Sequence, residues 1–290
     1  MANARSLGEH CDQDHISQEL SDEDKKYAAE WLNETDETKR NGIETIRCWL
    51  EQNDLGARID DFIILRFLRV SKFDVEKTKK KMQNRYKQLF KLPEWFLNKD
   101  PFLPELQKLL DLGICLMLLK PDKLGRLVMI IQPCLYDPTT TTIADFAKVC
   151  LIMMELGVKY YPAASVYGII QILIMDGLTL RHITQYTPSV IINSIQVWQN
   201  YPMRMRSINI VNAPKIFEAT ATMLKSLMSE KLRNRFHVRS DFTTENGLKD
   251  VPAEILPVEY GGTGSTVQEL SEFWKRRAEE NRDYILNGEK

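Results

Sequence analysis

No stretch of eighteen uncharged apolar residues occurs in this 290-residue chain, so the sequence offers no helix that would cross a bilayer. Residues 1–30 are acidic and lack the short apolar core of a secretory leader, so none is expected. Cysteine is sparse. The five, Cys11, Cys48, Cys115, Cys134 and Cys150, are odd in number and widely spaced, with no C-x-x-C pair. That pattern argues against a disulfide framework and a zinc site and for a reducing, cytoplasmic setting. The four histidines (His10, His15, His182, His237) form no H-E-x-x-H or similar ligand spacing. The glycine cluster Gly261-Gly262-Thr263-Gly264 lacks a phosphate-loop lysine and follows Leu256-Pro257 rather than a buried strand. A G-x-S-x-G nucleophile elbow is missing as well. Asp176-Gly177 could place a carboxylate at a strand end, but the pair reads first as a turn. These absences leave no catalytic constellation; the expectation is a non-enzyme without metal or cofactor.

What is present is an ordinary globular composition, 43% apolar and 27% charged, with enough chain to enclose a cavity. Residues 1–61 carry sixteen acidic and seven basic side chains, whereas residues 62–92 carry ten basic and two acidic. Helical periodicity and capping residues predict helices over about 21–33, 36–53, 60–70 and 74–91. Ser21 and Thr35 or Asp36 serve as N-caps, with support from glutamate in the first turn. The basic stretch Lys77 to Lys87 falls all around its helix and accompanies no nucleic-acid-reading motif, so no nucleic-acid partner is expected. Pro93, Pro101 and Pro104 then punctuate the chain, and strands begin to alternate with helices. Runs 113–119 and 126–131 read as a hairpin, 145–161 and 188–201 as helices, and 168–175 as a strand covered on both faces. The expectation is an α/β fold: a helical module, then a domain with a mainly parallel or mixed sheet. The division is a disordered tail at 1–20, the module at 21–95, the α/β domain at 96–265 and a C-terminal helix at 266–290.

Residues 201–237 are the most informative stretch. A strand at 207–211 stops at Asn212-Ala213-Pro214, and an oily helix follows over 215–229. Ile216, Thr220, Met223 and Leu227 make one row of that helix, and Phe217, Ala221, Leu224 and Met228 the next. Such an apolar arc is wider than packing on a core requires and suits a lid over a greasy pocket; a core helix with a solvated basic end is the other reading of these residues. Seven basic against two acidic side chains give this stretch a balance of +5 in a chain of net charge −1. Arg204 and Arg206 share a face if extended, and Lys231 and Arg235 share one if helical.

Read together, Phe62-Ile-Ile-Leu-Arg-Phe-Leu-Arg69 with Lys72-Phe73-Asp74, Tyr136-Asp137-Pro138, Gln185-Tyr186-Thr187-Pro188, Tyr201-Pro202-Met203-Arg204-Met205-Arg206, Asn212-Ala213-Pro214 and Leu256-Pro257-Val258-Glu259-Tyr260-Gly261-Gly262 form an ordered set of anchors. In these, roughly over residues 20–265, the chain resembles the CRAL-TRIO lipid-binding family, the class of alpha-tocopherol transfer protein, cellular retinaldehyde-binding protein and the clavesins. The resemblance implies one hydrophobic ligand, carried as cargo under a mobile lid at 215–228. By its motif positions the pocket would be lined by Cys150, Met153, Met154, Ile169, Leu173, Leu178, Val197, Tyr201, Ile208, Phe217, Ala221 and Leu224. It also implies a phosphoinositide-binding cleft of Arg204, Arg206, Lys231 and Arg235, and hence transient peripheral attachment to membranes. A fifth cleft position, arginine in the tocopherol protein, is Ser71 here, with Lys72 adjacent. Where many members place an aspartate three residues before the strand-end glycine, this chain has Ile174. The alternative function is a scaffold that docks on phosphoinositides while its cavity stays collapsed.

Overall fold

The computed structural model describes residues 20–53, 55, 59–239 and 248–287. The expected tail at 1–20 lies outside them except for Leu20, which is buried. Four helices come first: α1 (Asp22–Leu32), α2 (Asp36–Gln52), α3 (Asp61–Ser71) and α4 (Val75–Lys91). Ser21 and Thr35 cap α1 and α2 in reciprocal capping boxes. The third-position partners are Asp24 and Thr38 rather than glutamate, since a shorter oxygen-bearing side chain also reaches back to the cap amide. Between α3 and α4 the chain reverses through Lys72 and Phe73, both left-handed, and Asp74 caps α4. Ile46 and Leu50 of α2 meet Ile64, Phe67 and Leu68 of α3 and Met82 of α4 in a small core of their own. Helix α1 stands apart from that core, because Ala28 and Leu32 pack on Ala163 and Val166 instead.

Two short helices, α5 (Pro93–Phe96) and α6 (Pro104–Asp111), each begin on proline, whose missing N–H needs no partner there. The sheet follows: β1 (Cys115–Met117), β2 (Leu127–Ile131), β3 (Ile169–Ile174), β4 (Met205–Val211) and β5 (Phe236–Val238) in the order β1-β2-β3-β4-β5. The β1/β2 hairpin is antiparallel and every other pairing parallel. Its crossovers hold α7 (Ile143–Tyr160), α8 (Ala164–Tyr167), α9 (Leu180–Gln185), α10 (Pro188–Asn200), α11 (Glu218–Leu227) and α12 (Glu230–Arg233). Strands buried on both faces explain the apolar run of β2 and that of β3, which only Gln171 interrupts.

Asp176 accepts a 2.7 Å hydrogen bond from Asn212 and precedes Gly177 at φ +78°, so the pair is a turn joining the ends of β3 and β4. The expected single C-terminal helix is two, α13 (Val267–Glu280) and α14 (Arg282–Asn287), broken at Asn281. Asn281 turns its amide onto Tyr160 of α7 at 2.8 Å. Trp274 of α13 donates at 2.7 Å to the Met117 carbonyl, and this fastens the terminal helix to edge strand β1.

Candidate functional site: an apolar cavity and a basic cleft

Helix α7 presents one stripe inward: Ile143, Phe146, Ala147, Cys150, Leu151 and Met154, spaced three and four apart. The stripe faces Ile131, Gln171, Leu173 and Ile210 of the sheet. Ile191, Ser194, Val197 and Trp198 of α10 form a third wall, and Phe217, Thr220 and Leu224 form the cover. These walls enclose about 120 Å³. Pockets that bury a drug-sized ligand run to ~300 Å³ or more, so a lipid-sized guest has to push the cover outward. The cover is a short 3-10 turn, Lys215–Phe217, running into α11. Phe217, Ala221, Leu224 and Met228 are buried while Ile216 and Leu227 are exposed, so the second of its two apolar rows faces the protein.

Of the twelve pocket positions expected from sequence, Cys150, Met154, Leu173, Val197, Phe217 and Leu224 line the cavity. Met153, Ile169, Leu178, Tyr201, Ile208 and Ala221 are buried but are not among its lining residues. Met153 sits one residue off the α7 stripe. Ile169 begins its strand and Ile208 sits mid-strand beside Gln171, whereas Ile131, Leu173 and Ile210 on the wall lie toward the strand ends. Leu178 lies in the turn after β3, and Ala221 packs beside the lid's lining row. Tyr201 is committed elsewhere, for its hydroxyl donates to Glu155 and Arg66 and Arg85 stack on its ring at 5.7 and 5.2 Å. Among the residues missed from sequence, the α7 stripe was findable by following i+3/i+4 spacing from Ile143. Trp95 and Tyr186 come from a turn-length helix and a loop and carry no periodic signal.

The second feature is electrostatic. Arg204 donates to the Val166 carbonyl, Arg206 to the Tyr167 carbonyl and the Tyr27 hydroxyl, and Arg235 to the Met205 carbonyl. Every acceptor is neutral, and among the described residues these three and Lys231 form no ion pair with a carboxylate. They lie within one another's field. Burial lowers the Lys231 pKa, and Arg235, Arg204, Lys72 and Arg206 lower it further. Burial and then Arg206 also depress both Arg204, down to about 10, and Arg235. Lys72, in the left-handed turn after Ser71, thus joins the cluster, while the Ser71 hydroxyl is buried without a hydrogen-bond partner. So does Lys81 of α4, which burial, then Lys231, pushes down to about 8. Like charges gathered this way disfavour one another until an anion arrives.

Gly168 makes the cleft possible. Its φ is +96°, and a Cβ there would lie 2.3 Å from the Arg204 carbonyl oxygen and 2.9 Å from Arg206 Cγ. Gly168→Ala should therefore cost about 2 kcal/mol or more in stability. Denaturant titration checks this, with a lower midpoint at unchanged slope as the expected outcome.

Residues 112–262 match the CRAL/TRIO domain family, which is just over half of the chain. The chain belongs to the CRAL-TRIO family. Residues 35–106, ahead of the CRAL-TRIO domain, match the Pinta-like UBA domain. A mouse (Mus musculus) alpha-tocopherol transfer protein-like chain is 28% identical over 248 residues, covering 84% of this chain and 71% of its own. Human (Homo sapiens) clavesin-2 is 27% identical over 252 residues, covering 86% and 76%. The crystal structure of Sfh5 superimposes with a TM-score of 0.52 at 16% identity over 87% of this chain and 92% of that one, a likeness of fold. Among the described residues, no helix of this CRAL-TRIO protein is long and apolar enough to cross a membrane.

Proposed function

We propose that this chain is a cytoplasmic carrier. It binds a small hydrophobic ligand, tocopherol-, retinoid- or otherwise lipid-like, beneath the α11 lid and transfers it between membranes without catalysis or cofactor. One observation carries the reading: an apolar cavity closed by a helix that runs on, through Lys231 and Arg235, into a cationic cluster with Arg204 and Arg206 that no carboxylate among the described residues neutralises. The mouse relative's name, which calls it alpha-tocopherol transfer protein-like, points the same way. A guest burying about 500 Å² of apolar surface gains roughly 12 kcal/mol before ordering costs, which holds it firmly once the lid shuts. Release then needs an external drive. Phosphoinositide headgroups entering the cleft of Arg204, Arg206, Lys231 and Arg235 supply it, at about 1 kcal/mol for each cation near the surface. If that binding favours the open lid, about 4 kcal/mol shifts the lid equilibrium on the order of a thousandfold. Exposed Ile216 and Leu227 give the lid an apolar outer contact for a bilayer.

The scaffold alternative is favoured by the cavity's modest volume. The two readings part at Lys231→Ala with Arg235→Ala. Losing about 2 kcal/mol of headgroup attraction should weaken binding to phosphoinositide vesicles roughly thirtyfold and slow vesicle-to-vesicle transfer of a fluorescent lipid. Affinity for the same lipid without vesicles is retained. Unchanged transfer would refute the cleft's role, and no transfer even by the unmodified chain would favour the scaffold.

A further inference from the structure

Gln171 stands in the middle of β3, opposite Met129 of β2 and Ile208 of β4. Its side chain lines the cavity and is only 2% exposed. The amide nitrogen makes a 3.6 Å contact with the Met129 sulfur, a weak acceptor, while Oε1 is buried with no hydrogen-bond partner. The backbone is not the cause, since the Gln171 carbonyl accepts from Asn209 at 3.3 Å and the strand pairs on both sides. Turning the amide over would set its carbonyl oxygen against the sulfur lone pairs, so the observed orientation is the favourable one.

An orphaned carbonyl in an apolar interior is destabilising, and the fold has no use for it here. Its neighbours at the same level are apolar, and a methionine or leucine would complete the strand. Gln171 also marks the end of the cavity nearest the strand starts: Met129 and Ile208 flank it at its own level and Ile169 lies beyond it, all three fully buried. Of the other polar groups on the wall, Ser194 spends its hydroxyl on the Val190 carbonyl at 2.9 Å, Thr220 rides on the lid, and the Tyr186 hydroxyl both donates and accepts and so selects no one ligand class.

We propose that Gln171 Oε1 accepts a hydrogen bond from a hydroxyl of the cargo, so that the ligand is a hydrophobic alcohol or phenol seated with its polar end against the centre of the sheet. The inference rests on the carrier reading and sharpens it: esters, ethers and plain hydrocarbons fill the cavity but leave the carbonyl unpaired.

Octadecan-1-ol, its methyl ether and octadecanal, presented to the full chain, test this through competition with a bound fluorescent fatty probe. The unmodified chain should prefer the alcohol to the ether by about tenfold, the size of one buried hydrogen bond with its desolvation. In Gln171→Met, close in shape, and in Gln171→Leu, that ratio should collapse to about one. Thermal midpoints of both variants should stay level or rise, since the orphaned carbonyl is gone. Equal binding of alcohol and ether by the unmodified chain, or a ratio that survives in Gln171→Met, overturns the assignment while the carrier reading stands. Preference for the aldehyde also overturns it, because the amide N–H would then face the cavity. Failure of the fluorescent probe and all three competitors to bind ends the carrier reading and this inference together.

Discussion

Leu224→Asp should empty the cavity: affinity for a fluorescent lipid is expected to fall by about a hundredfold or more. Leu224 is buried and lines the cavity from the lid. The change removes the contacts of a buried leucine, worth about 1.5–3 kcal/mol, and confronts the guest with a carboxylate that resists transfer from water. Each contribution opposes the closed, loaded state. The domain itself should survive, because α11 can swing its new charge into solvent while the sheet and α7 keep their packing. A drop of several degrees in thermal midpoint with the helical signal retained is the expected companion result. Leu227→Asp is the control, since Leu227 is exposed on the same helix and should leave affinity in solution nearly unchanged. Global unfolding of Leu224→Asp would instead make residue 224 a core position that supports the whole domain.

The largest effect on stability is expected at Arg66. Its guanidinium, 2% exposed, pairs with Glu155 of α7 at 2.7 Å, donates to the Pro202 carbonyl at 3.3 Å and stacks on Tyr201. Burial alone would lower its pKa, but Glu155 and Tyr201 outweigh that and the net shift is upward. Neighbouring Arg69 is held in the same manner by Glu34 at 2.6 Å and by Ser165 at 2.6 Å. Arg66→Ala leaves Glu155 part-buried with no cation and should cost about 3–5 kcal/mol. Adding Glu155→Gln should recover a large part of the loss, which a double-mutant cycle in denaturant reads directly. Independent, additive losses would show that the two side chains do not depend on each other. The clamp also bears on the proposed cleft, because Pro202 lies two residues before Arg204. Loosening α3 therefore loosens the backbone that carries the cleft.

The fold was legible wherever a local pattern decides it. Helices α1 to α4, the β1/β2 hairpin, strand β3 and helix α10 fall within a few residues of where period, caps and prolines place them. The cationic cluster was legible too, because arginines and lysines confined to one short segment of a near-neutral chain have few ways to disperse. The cavity was only half legible. Its lining depends on which turn of α7 and which end of each strand faces inward, and a shift of one residue, as at Met153, moves a side chain off the wall. Gln171 sat inside what reads as a continuous apolar strand, and nothing local says whether its amide is satisfied. Least visible were the long-range ties. Arg66 to Glu155 spans 89 residues and Trp274 to the Met117 carbonyl spans 157, and neither leaves a trace in periodicity. Tyr201 illustrates the cost: an aromatic before Pro202 looks like pocket lining until its hydroxyl is seen bonded to Glu155.

The central claim is that the space beneath α11 holds a guest. Native mass spectrometry of the full chain, gently purified and then incubated with lipid-bearing vesicles, tests it most directly. The account predicts a population heavier than the bare 33.7 kDa chain by the mass of one small lipid, with that lipid recovered in organic extract and absent from Leu224→Asp. Only the bare mass, with no hydrophobic molecule extracted before or after incubation, would contradict it.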